Sequence, residues 1–416
     1  MPMKTKNLAF IAVSIIITAC SNEFSESVTR LKPLTDSNLQ KNIAAYETFV
    51  QQCYDTRTNV EHYPDFYGGA YLSSTGDFTV KLTDISVDNE VAVKELIGLD
   101  DLIFEKCSYS YNQLLSVKSI IDNYMTTHSG TTHLDNIQSV YVDVFENKVV
   151  VCLKQCTNSS IIDFESRIVK SALIKFVDVS FFESDSRITH DSNNTNDNTS
   201  SKTRVLTLST GDCLCDNHTN ADSLTYTSVA YRAMHLSGTT GFVTSGLTSS
   251  PGNNVYRYNL GVKDIVGITT LSMTQGNISA AFCQSIGATS IDNSLLYNNA
   301  FFTYSTTTPP QPNAFMPGAT TIFYGAKTLE VNNGRPTKST ITGANCTVTG
   351  YGNIVYTGLA MSRYSTQESA DCGGLVASTE SSRILRVYGI HLIRVGANSY
   401  FVPAYSINQT FGLTIY

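Results

Sequence analysis

This chain is short of charge. Only 15% of its 416 residues are Asp, Glu, Lys or Arg, with 28 basic against 35 acidic side chains and a formal net charge of -7. No surplus of Lys and Arg is available to neutralise phosphates, and the basic residues do not gather into runs, so nucleic acid is excluded as an expected partner. Tryptophan is absent. Few segments carry the charged faces of long solvated helices. Ser, Thr, Asn, Gly and Tyr are abundant instead, a composition that suits short strands and turns on an extracytoplasmic protein. Long apolar runs are missing too, with one exception at the N-terminus.

There, Lys4 and Lys6 precede "LAFIAVSIIITA", too short to span a bilayer comfortably but the right length for a signal-peptide core. The run closes on Ile17-Thr18-Ala19-Cys20, which is similar to the bacterial lipobox: small residues fit the signal peptidase and the Cys20 thiol takes a diacylglycerol. Its acyl methylenes would hold the chain at a membrane surface at roughly 0.8 kcal/mol each. The expectation is a signal peptide over residues 1–20 and a lipoprotein anchored outside the cytoplasm, in the bacterial cell envelope. The alternative is cleavage near Ala19 and secretion. With Cys20 lipidated, nine of the ten cysteines remain, an odd number that leaves at least one thiol unpaired within the chain. Cys213 and Cys215 are too close for a routine disulfide with each other. Cys152, Cys283 and Cys346 lie in apolar, strand-like surroundings where cysteine serves as a small buried hydrophobe. This is not a disulfide scaffold.

A chain of 416 residues exceeds what one core usually supports, so two folded units are expected. After a spacer, Leu39, Ile43, Ala44 and Phe49 recur at helical spacing up to Cys53, with Asp36 or Ser37 as N-cap, giving an amphipathic helix within residues 21–60. Residues 63–84 read as two strands joined by a Ser-Ser-Thr-Gly-Asp turn. Helices follow near 89–97 and in "SYNQLLSVKSIIDNYM"; then comes the hairpin "SVYVDVFENKVVVCL", and a helix around residues 163–175. Residues 61–183 therefore predict an α+β domain. The stretch "SDSRITHDSNNTNDNTSSK", residues 184–202, cannot bury enough apolar surface to offset its ordering entropy, and reads as a protease-sensitive linker. Beyond it, residues 203–416 are short β-branched and aromatic runs between Gly, Asn and Pro turns, with no helical pattern before the last dozen residues. That predicts a closed or sandwiched all-β domain.

Five blocks of this second half, "SVAYRAMHLSGTTGFVTSGLTSS", "GNISAAFCQS", "NNGRPTKSTITGANCTVTG", "ESADCGGLVAS" and "GANSYFVPAYSINQTFGLTIY", follow one another in a meaningful order. They resemble the chymotrypsin-like (trypsin-like) serine proteases of bacteria, the group of alpha-lytic protease and the streptogrisins. "ESADCGGLVAS" is similar to that family's Gly-Gly-Asp-Ser-Gly-Gly-Pro-Val. In the first half, "YGGAYLSSTGDFTVKLTD" and "YSYNQLLSVKSIIDNY" resemble the pro-region that assists folding in those enzymes. The resemblance covers about residues 61–416 and implies a mainly β fold: a chymotrypsin-like double β-barrel preceded by an α+β pro-region-like domain.

The resemblance also implies where the catalytic residues would stand. The family's histidine, aspartate and serine fall at Leu247, Ser279 and Cys372, so all three are replaced. Histidine takes the hydroxyl proton, aspartate holds the histidine, and serine attacks. Losing the triad costs about 10⁶-fold in turnover, on the order of 8 kcal/mol of barrier. Leucine accepts no proton. Cysteine is the least dependent nucleophile, being a few per cent thiolate at pH 7, and a nearby base would raise that fraction. His235 precedes Leu247 at the far side of a hairpin turn. His218 follows Cys213 and Cys215, but these three do not make a recognised closed set of four ligands, so neither a metal nor another cofactor is expected. The oxyanion hole would use the amides of Ala370 and Cys372, and alanine in place of glycine costs about 1 kcal/mol or more where the backbone needs glycine's freedom. Asp371, Gly373 and Gly374 are retained, as if the loop kept its turn and a buried ion pair. His391, Leu392, Ile393 and Arg394 occupy the specificity-pocket strand, where the family has Ser-Gly-Gly after the first position, and Arg394 is expected to fill or rim the pocket mouth. The expectation is a non-catalytic homologue that binds a peptide or protein. The alternative is an active endopeptidase using Cys372 with a base from elsewhere.

Overall fold

The computed structural model describes residues 37–55, 57–58, 60–179, 206–216, 226–248, 250–259, 262–287, 289–297, 300–366, 371–381 and 383–416. Cys20, the linker 184–202, His218 and Ala370 lie outside these residues.

The expected first helix runs Ser37–Cys53 and buries Ile43, Tyr46, Phe49 and Val50 along one stripe. Its partner is a hairpin of Tyr67–Leu72 and Phe78–Leu82, paired antiparallel with Tyr71 opposite Thr79. A strand that the sequence pattern does not mark, Ile103–Lys106, adds to it in parallel. Between them lies the helix Val87–Ile97, opened by the Ser86 side chain and closed by Gly98 at φ 74°. The next helix, Tyr111–Thr127, starts on a reciprocal Ser110–Gln113 cap. It covers the antiparallel pair Ile137–Asp143 and Lys148–Leu153, whose turn holds Asn147 at φ 53°. The helix expected around residues 163–175 is displaced. Thr157 and Ser160 cap its start, so it runs Asn158–Arg167. Ile174–Asp178 is instead a strand parallel to Lys148–Leu153, drawn in by Leu173, Ile174 and Phe176 packing on the domain core.

The second half forms two closed antiparallel barrels. In the first, residues 226–235 act as one bent strand: Tyr226–Ser228 pairs with Cys213–Asp216, and Arg232–His235 pairs with Thr240–Thr244. From Thr240–Thr244 the ring passes through Ile278–Ser285, Val262–Gln275 and Asn254–Asn259 back to Cys213–Asp216. The second ring is Thr320–Tyr324, Thr337–Thr349, Val355–Ser362, Asn398–Pro403, Ile384–Val395, Leu375–Ser381 and back to Thr320–Tyr324. Phe323, Ile341, Ala360, Phe401, Tyr388 and Val376, one from each of its strands, meet in a single cluster. Closure leaves neither barrel a free edge along its ring. This is the expected double β-barrel of chymotrypsin-like type. The helix Ala404–Phe411 falls in the last dozen residues as expected, but a short helix, Ala326–Val331, also interrupts the second barrel. None of the nine cysteines among the described residues is joined in a disulfide; Cys152, Cys283 and Cys346 are buried, and burial pushes the Cys346 thiol up to about 12.

Candidate functional site

The site is built on the loop that carries Cys372, which sits between the two barrels. Asp371 is fully buried, and its carboxylate accepts from the Thr328 backbone N–H at 2.9 Å and the Thr328 hydroxyl at 2.5 Å, in the first turn of Ala326–Val331. A Cβ on Gly325 would come within 2.2 Å of Asp371 Oδ1, so only glycine lets this carboxylate reach the helix start. Gly373 then turns the chain at φ 76°, where a Cβ would lie 2.5 Å from the Ser245 nitrogen. The Cys372 carbonyl accepts from the Ser228 N–H at 3.0 Å and the Thr227 hydroxyl at 2.7 Å. The loop is thus fixed by the second barrel below and the first barrel above.

Leu247 stands on the turn Gly246–Thr248, directly after the strand Thr240–Thr244, and is 49% exposed. A Cβ on Gly246 would lie 2.6 Å from the Met273 carbonyl and 2.7 Å from that of Ala280, so this turn is pressed onto the strand that carries Ser279. Ser245 meets the Cys372 loop from the other side. The structure therefore brings the stretches carrying Leu247, Ser279 and Cys372 together where the barrels meet. Ser279 itself is 1% exposed, and its hydroxyl makes no full hydrogen bond. The Tyr356 phenol stands beside it, close enough for the serine to offset part of the upward push of burial on that phenol.

The Cys372 thiol is half-buried and donates to the Leu392 carbonyl, with Sγ 3.5 Å away. His391 approaches this loop through its backbone only: its carbonyl accepts from Gly373 N–H at 2.9 Å and its N–H donates to the Gly374 carbonyl at 2.8 Å. Its ring turns into the barrel, where Nδ1 shares a 3.0 Å hydrogen bond with the Tyr364 hydroxyl. Tyr364 stacks on Phe323 at 4.5 Å, and Phe323 meets the imidazole edge-on at 5.5 Å. Burial, followed by the Arg394 charge, lowers His391 to about 3. The imidazole is neutral at physiological pH. The Tyr364 phenol is held well above its ordinary range by burial first and by Asp371 and Cys372 next, so it stays protonated.

Of the other strand positions, Leu392 is buried and Ile393 and Arg394 are half-buried, while Arg394 Nε donates to the Gly396 carbonyl at 3.0 Å, within its own hairpin. His235 shares a 2.7 Å bond between Nδ1 and the Ser237 hydroxyl, inside its own turn, on a strand paired with Leu413–Ile415. Among the described residues no group of three or more His, Cys, Asp or Glu is placed to hold a metal ion. Sequence reasoning missed Thr328 and Tyr364. No motif marks either, since each acts from a separate element by a contact that only the closed barrel creates.

These observations define a chymotrypsin-like double β-barrel behind a two-domain N-terminal region. That region is recognisable by sequence: residues 33–107 match the Pro-like N-terminal domain and residues 112–178 the Pro-like C-terminal domain. No curated protein matches the chain by sequence. Among solved structures it is similar to the Nocardiopsis protease NAPase, at 21% identity over 50% of this chain and 98% of that one, with a TM-score of 0.39. It is similar to Thermobifida fusca protease A at 19% identity over 50% and 98%, TM-score 0.38, and to the alpha-lytic protease homolog N4 at 17% identity over 50% and 100%, TM-score 0.39.

Proposed function

We propose that this protein is an exported homologue of a trypsin-like serine endopeptidase that binds a peptide or protein at the junction of its barrels without cleaving it. The lipid carried on Cys20 would hold it at a membrane. The observation that carries the reading is the placement of the groups that would have to move a proton. Leu247, at the position the resemblance gives to the histidine, has no proton acceptor, and Ser279 is a buried hydroxyl rather than a carboxylate. Two histidines that could otherwise supply a base are engaged elsewhere, His391 with Tyr364 and His235 with Ser237. A general base must come within hydrogen-bond reach of the nucleophile, directly or through one water.

The second reading, an endopeptidase with Cys372 as nucleophile, is favoured by one observation: the thiol is half-buried rather than sealed in. The two readings separate in a labelling experiment on the full exported chain, comparing a thiol-reactive peptide probe with a simple alkylating agent. A bystander thiol is expected to react with both at ordinary thiol rates. Preferential, Cys372→Ala-sensitive capture of the peptide probe would show an activated nucleophile and overturn the first reading.

A further inference from the structure

We propose that the two Pro-like domains are a permanent half of the folded molecule, so that the barrels do not keep their fold without them. The proposal goes beyond the binding role above and stands whether or not the barrels hydrolyse anything. Four separate contacts carry it. The first is a shared core: one apolar cluster runs from Tyr46 and Phe49 on the first helix, through Phe315 and Met316, into the interior of the second barrel. There the Phe315 ring meets Tyr388 and Phe401 edge-on at 5.2 and 5.3 Å, and Phe315 itself is 1% exposed.

The second contact is made by backbone. Leu72 N–H donates to the Pro317 carbonyl at 2.8 Å, and the next residue, Gly318, donates to Ile341 in the barrel wall at 2.8 Å. A Cβ on Gly318, at φ 87°, would lie 2.1 Å from the Leu72 carbonyl, so the barrel chain is shaped to the Pro-like hairpin. The third is a sheet. Ile137–Asp143 pairs antiparallel with the end of the barrel strand Thr337–Thr349, with Val140 opposite Thr347 and Ser139 opposite Val348. The buried Tyr400 hydroxyl closes this seam on Ser139 Oγ at 2.8 Å.

The fourth contact is polar. Arg386 holds Glu47 through two bonds of 2.7 and 2.9 Å, with side chains only 16% and 13% exposed, and Asn313 donates to Glu61 at 3.1 Å. Interfaces between independent domains are modest in area and comparatively polar. Here, removal of the Pro-like half would uncover apolar core and an unpaired strand edge and would take Glu47 away from Arg386.

The test uses the full chain with a specific protease site placed between residues 184 and 202, cut after folding. The fragments are expected to co-elute at micromolar concentration. They are also expected to unfold in one urea transition, with midpoints that coincide for probes placed on each half. Separation of the fragments with the barrel still folded, or two distinct transitions, would overturn the proposal. As a second readout in the uncut chain, Tyr46→Ala is expected to lower the midpoint of a barrel-located probe as far as that of a probe in the Pro-like half. An unmoved barrel midpoint would equally refute it.

Discussion

Cys372 and His391 show how far single residues can be read. The loop motif around Cys372 is legible in the sequence as a resemblance, because the turn residues Asp371, Gly373 and Gly374 are constrained by geometry that a short string of letters records. What His391 does is not in the string, since it depends on which way the ring turns. It turns inward, and the physical consequence is measurable. The imidazole sits at about 3 in the folded chain against 6.5 for an exposed histidine. The unfolded chain therefore takes up a proton near pH 6.5 that the folded chain refuses. Its contribution to stability is complete above that pH and is lost as pH falls toward 3, by up to about 4 to 5 kcal/mol. His391→Asn keeps a polar partner for Tyr364 without titrating. It is expected to be less stable at neutral pH but to lose less stability than the parent between pH 6.5 and 3, as read from urea midpoints across pH. Parallel pH profiles would show that the ring is not the titrating group.

At the scale of elements, the sequence is most readable where caps and alternation are strong. The helix Tyr111–Thr127, with its Ser110–Gln113 cap, and the hairpin ending in Asn147 follow from such signals. The displaced helix shows the opposite case: Ile174 and Phe176 fit an apolar helical stripe as well as an alternating strand, and only pairing with Lys148–Leu153 decides between them. Ala326–Val331 is six residues long and depends on a partner far away in sequence, the Asp371 carboxylate at its first turn. That dependence gives a prediction. Thr328→Val keeps the N–H but removes the hydroxyl from the buried carboxylate, and is expected to cost about 1 to 3 kcal/mol, while Thr328→Ser, which keeps the hydroxyl, should cost less. Equal urea midpoints for the two variants would show that the hydroxyl bond contributes nothing.

Over the whole molecule, the order of a Pro-like region and a double barrel is legible in the sequence, but their common core is not. Tyr46 and Phe315 lie far apart along the chain, and no local pattern announces that they belong to one cluster. The proposal that catalysis is absent likewise rests on a conjunction: a leucine, a buried serine and two histidines engaged elsewhere matter only because the fold brings their elements to one place or holds them apart. The most direct measurement is hydrolysis of an unfolded protein substrate by the full chain, set beside its Cys372→Ala variant. No turnover above background is expected from either. Turnover by the parent that disappears in Cys372→Ala would contradict the account and make Cys372 the nucleophile of a working enzyme.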